Sequence, residues 1–67
     1  MDPEERLKKM VKDTGKVNSV YGGFEIGVSK PTLFPWPKVF NLLTEIGQEV
    51  WINKREGKIY ITSEPKF

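Results

Sequence analysis

Cysteine and histidine are both missing from this chain of 67 residues. Without cysteine no disulfide can brace the fold, and without either residue type a structural zinc site loses its usual ligands. Nucleophilic triads and most proton shuttles draw on the same two residues, so the commonest catalytic constellations have no material here. Long apolar runs are lacking too. No stretch approaches the roughly 18 residues of a membrane span, and the charged start MDPEERLKK is not followed by the hydrophobic region of a signal peptide. A cytoplasmic location is the expectation. Charge of one sign is also scarce: 11 basic residues against 9 acidic ones give a net charge of +2, so attraction to nucleic acid would need a local patch. Charged residues, mostly Lys and Glu, make up 30% of the chain, a composition that leans toward a thermophilic source.

What is present suits one small α+β domain over residues 1–67. A chain this short buries only about 60% of the surface it exposes when unfolded, so its stability margin is thin and a partner is a plausible support. DPEERLKKMVKDTG has the marks of a helix: Asp2 as N-cap with Glu5 three residues on, Pro3 at the first helical position, and Gly15 after the last turn. Leu7, Met10 and Val11 form its narrow apolar stripe. KVNSVYGGFEIGV predicts a β-hairpin turning at Gly22-Gly23, with Phe24, Ile26 and Val28 on one face. PKVFNLLTEIG predicts a second helix from Pro37 to Gly47 with Val39, Phe40, Leu43 and Ile46 inward and Leu42 off the stripe. EVWINKREGKIYIT predicts a second hairpin turning over residues 54–57, with Val50 opposite Ile61, Ile52 opposite Ile59 and Trp51 opposite Tyr60. The tail SEPKF is expected to fray.

The carboxylates give no sign of an enzyme. Glu4 and Glu5 sit where negative charge complements a helix dipole, and Glu25, Glu45, Glu49 and Glu56 are dispersed. YGGFEIG lacks the lysine and hydroxyl of a P-loop, which leaves its glycines as turn residues. The expectation is a non-enzymatic protein with no metal, no cofactor and no small-molecule substrate. Lys54, Arg55 and Lys58 near the last turn, with Trp51 and Tyr60 on one strand face, allow a second reading as a small DNA- or RNA-binding module. Solvated charge at a hairpin tip is the plainer account of the same residues.

The densest apolar segment is KPTLFPWPKVF, residues 30–40. Pro31, Pro35 and Pro37 fix their own φ and push Lys30, Phe34 and Trp36 toward extended backbone. Such a preordered segment loses less entropy on docking. Against this, Leu33 or Phe34 could pack back on the first turn of the following helix and complete the core. The register of Lys30, Leu33, Trp36 and Pro37 resembles the PCNA-interacting motif of sliding-clamp ligands, which has Gln, an aliphatic residue three positions on and two adjacent aromatics three positions after that. Leu33 and Trp36 match. Lys30 stands in for the Gln, keeping donors and losing the acceptor, and Pro37 replaces the second aromatic.

With its small size, its lack of cysteine and a helix directly after the motif, the chain is similar to the small PCNA inhibitors of Thermococcales archaea. That resemblance implies a protein that occupies the partner-docking groove of the clamp and blocks clamp-dependent DNA replication, with PCNA as partner and no membrane involved. Direct contact with nucleic acid ranks behind it. Carried onto this sequence, the resemblance implies a binding set of Lys30, Pro31, Thr32, Leu33, Phe34, Trp36 and Pro37, widened by the exposed helix residues Lys38, Asn41 and Leu42.

Overall fold

The computed structural model describes residues 2–66. Two helices cover one face of a four-stranded antiparallel sheet, in the expected order of helix, hairpin, helix, hairpin. Helix α1 spans Pro3–Val11, and the Asp2 carboxylate accepts from the Glu5 N–H at 2.9 Å, which satisfies one of the orphan donors of the first turn. The helix stops earlier than Gly15 suggested. Lys12 adopts φ 51, a short 3-10 turn covers Lys12–Thr14, and Gly15 becomes the extended first residue of strand β1, Gly15–Val20. A side chain at Gly15 would run into the Gly27 carbonyl oxygen of the neighbouring strand, so the glycine serves strand packing.

Strand β2, Gly23–Val28, pairs with β1 with Val20 opposite Gly23. The hairpin therefore turns on Tyr21-Gly22, one residue before the expected Gly-Gly pair, with φ 43 and 82. Gly23 is needed elsewhere: a Cβ there would collide with the Ser63 carbonyl oxygen of the next strand. Helix α2, Trp36–Glu45, ends where Gly47 takes φ 80, as the sequence indicated. Its buried residues are Val39, Leu42 and Leu43, with Phe40 and Ile46 half-buried. Leu42, expected at the surface, is 2% exposed, because the stripe is wide enough to take in residues at 39, 42, 43 and 46.

Strands β3, Gln48–Arg55, and β4, Lys58–Pro65, form the second hairpin around Glu56-Gly57, both at positive φ. This two-residue turn moves the register by two from the expected one: Val50 faces Ser63, Ile52 faces Ile61, and Trp51 faces Thr62. A shift of two keeps every side chain on its expected face. The tail does not fray over the described residues. Ser63 is buried and its Oγ accepts from the Phe24 N–H at 3.1 Å, while the Lys66 N–H donates to the Gly47 carbonyl at 2.8 Å. Phe67 lies outside the described residues.

The strand order is β1-β2-β4-β3, so the last strand sits inside the sheet. One row, Val17, Ile26, Ile61 and Ile52, crosses all four strands on the helix side. The first three are sealed beneath Leu7, Val11, Val39 and Leu43, whereas Ile52 is 59% exposed, because the helical layer runs out over β3. Among the described residues no second layer covers the opposite face.

Truncating Leu42 to Ala should cost about 2–5 kcal/mol, a large share of what so small a domain holds, while Asn41→Ala should be near neutral. Denaturant titrations of the two variants check this. Tyr21, whose side chain is fully exposed, holds a left-handed position that Asn occupies with less strain; Tyr21→Asn should raise stability by about 1 kcal/mol in thermal melts.

Candidate functional site

The proline-flanked segment is tied to the end of the first helix. The Thr14 carbonyl accepts from the N–H groups of both Ser29 and Lys30, at 2.9 and 3.0 Å, and the Lys30 ammonium meets the Asp13 carboxylate at 2.9 Å. The Lys30 carbonyl in turn accepts from Leu33 and Phe34, each at 3.0 Å, which closes a helix-like turn over residues 31–34. Backbone expected to be extended is thus curled. Curling sends consecutive side chains opposite ways: Phe34 is 4% exposed in the core, and Leu33 stands 68% exposed.

Trp36 precedes a proline yet opens α2 as its first residue. Proline early in a helix is tolerated because its missing N–H would find no intrahelical partner. The Trp36 ring packs edge-on to Phe34 at 4.7 Å between centroids and lies 6.0 Å from Phe40. Its Nε1 donates to the Pro31 carbonyl at 2.9 Å, closing the loop on itself. The indole is half-buried, with one flank on the protein's own aromatics.

Of the residues the sequence singled out, Lys30, Pro31, Thr32, Leu33, Pro37, Lys38 and Asn41 lie at the surface and Trp36 is half-buried. Phe34 and Leu42 belong to the core and leave the surface set, since each is needed to fill the space under the sheet. The segment therefore presents one projecting leucine, one indole flank and a polar helix face.

A second candidate surface is the open side of the sheet. Trp51 is 44% exposed there, and the Arg55 guanidinium lies 4.4 Å from the Tyr60 ring centre and 3.5 Å from the Glu25 carboxylate. A trough of about 640 Å³ runs across the end of the sheet, lined among others by Lys16, Asn18, Gly27, Lys58 and Tyr60 of the open face and by Lys54, which the register puts on the helix side. Lys54 and Lys58 were expected near such a surface; Lys16, Asn18 and Gly27 were not. The signal for Gly27 was its placement inside a strand, which often marks close approach of another group. Tyr21, at the first hairpin tip, is a further exposed aromatic that sequence reasoning passed over.

No group of three or more potential ligand side chains that could hold a metal ion occurs among the described residues, and no helix among them is long and apolar enough to cross a membrane. No known protein family matches the chain, and no similar curated protein or solved structure was found.

The hydrogen bond from Lys30, reinforced by its charge, holds the Asp13 carboxyl below its usual value. A carboxyl whose folded pKa is depressed contributes stability above its unfolded pKa and loses it as pH falls through the folded one. The Lys30–Asp13 tether should accordingly hold at neutral pH and release on acidification. In Lys30→Ala the Asp13 pKa should rise toward the ordinary range, as followed by NMR titration of its side-chain carboxyl carbon.

Proposed function

We propose that this chain is a small non-enzymatic protein that binds the DNA sliding clamp PCNA at its partner-docking groove and so blocks clamp-dependent replication. The observation that carries the reading is Leu33, 68% exposed on a turn already closed by the Lys30 carbonyl. A large aliphatic side chain held outward by fixed backbone docks without the entropy loss of ordering a free peptide. An exposed leucine alone is ordinary; here it lies in the register that resembles the clamp motif, with the Trp36 flank beside it.

The two departures from that motif define the rest of the interface. Lys30 is engaged with Asp13 at the surface, where an ion pair is weak and exchangeable, so its ammonium can turn to a polar rim. Pro37 supplies no second aromatic. The exposed face of α2, including Lys38, Asn41 and Glu45, is the adjoining surface that can compensate. Occupying one groove suffices for inhibition, since clamp partners compete for it.

Because Leu33 lies outside the core, Leu33→Ala leaves the fold intact and tests the contact cleanly. Anchor residues of this kind are worth about 2 kcal/mol or more, so affinity for a Thermococcales clamp should fall roughly thirtyfold in calorimetry. The wild-type protein should also displace a fluorescent clamp-binding peptide. Equal affinity of the two proteins, or no binding by either, would remove the assignment.

A further inference from the structure

The trough on the open sheet face has the chemistry of a phosphate site. In the register, Lys16 of β1 stands opposite Gly27 of β2, which stands opposite Tyr60 of β4. Gly27 has no side chain, so the sheet is notched between a lysine and an aromatic ring. The lining adds Lys58 to Lys16 on this face, and Lys54 reaches it around the end of the sheet from the helix side of β3; Asn18 supplies a further donor, and the lining contains no carboxylate. Among the described residues these three lysines form no ion pair, whereas Arg55 on the same face is occupied by Glu25. Three uncompensated cations bordering one trough, two of them on the open face, contrast with a chain whose net charge is only +2.

The face is also polarised. Trp51 stands one row beyond the Gly27–Tyr60 row, in the row of Glu25 and Thr62, and the opposed pair Glu49 and Glu64 lies past it. Cations thus collect at one end, carboxylates at the other, with an exposed indole between. We propose that this trough binds the phosphodiester backbone of single-stranded nucleic acid, with an unstacked base laid on Trp51. The arrangement favours a single strand over a duplex: no helix or ribbon projects to enter a groove, whereas a shallow sheet with lysines and an open ring suits backbone tracking and base stacking. The carboxylate end repels phosphates, so the strand crosses the sheet at the lysine end. This site stands apart from clamp docking through Leu33, although Pro31 borders the trough.

Fluorescence anisotropy with labelled oligo-dT and oligo-U, without any clamp present, tests it. The affinity should fall with salt, and Lys16→Ala/Lys58→Ala should reduce the slope of log K against log salt by about 1.4, two contacts at about 0.7 each for a single strand. Trp51→Ala should weaken binding about tenfold. Gly27→Ala puts a methyl group into the notch without harming the fold, because its Cβ meets the Tyr60 ring at an ordinary 3.5 Å; it should keep the melting temperature and weaken binding. Preference for one oligonucleotide identifies DNA or RNA as the source of the strand. Absence of binding at low salt, unchanged binding by Gly27→Ala, or equal displacement by polyglutamate would each overturn the proposal.

Discussion

The pairing of β2 with β4 carries the structure. It joins two hairpins that are distant in sequence, sets Ile26 against Ile61, and lets the Ser63 hydroxyl accept the Phe24 N–H. Isolated hairpins are marginal in water, and α1 offers just Leu7 and Val11 fully to the interior, with Met10 half-buried beside them. Only when the two hairpins share an edge is there a floor broad enough for both helices to cover. Gly23 is the steric condition for that edge, since any side chain there would strike the Ser63 backbone.

With so few large apolar residues, one layer of helices is all the chain can supply, and this shapes its surfaces. Phe34 had to be drawn into the core from a loop, and the turn that brings it in is what turns Leu33 out. The same shortage leaves the far side of the sheet bare, with Trp51 and a glycine notch among its residues. The outward leucine and the open sheet face thus follow from one constraint, the limited volume of hydrophobic side chains.

Much of the architecture was legible because it rests on local signals. Asp2, Pro3 and Glu5 mark the first helix by capping chemistry, and Gly47 marks the end of the second through its left-handed backbone. The misses have separate causes. The first turn falls on Tyr21-Gly22 because Gly23 answers to Ser63, forty residues away in the sequence. The second hairpin is tighter than expected, which moves partners by two but leaves faces unchanged. Leu42 was set outside a stripe drawn too narrowly, and the tail was read as loose because its partner strand cannot be seen from its own residues. At the candidate sites, the segment of residues 30–40 stood out by composition, but which of Leu33 and Phe34 faces inward depends on hydrogen bonds to Thr14 and Lys30. The trough is wholly non-local, since Lys16, Gly27 and Lys58 come together only through strand order.

That order has a consequence for synthesis. Of the strands in this sheet, β4 emerges last from the ribosome, yet it lies between two that emerge before it. Until it arrives, β2 exposes an unpaired hydrogen-bonding edge and α2 has little to rest on, so the nascent polypeptide stays open to chaperones, proteases and foreign strands almost until translation of the sheet is finished. Folding is then a late, closing event in which the final strand slots between its neighbours.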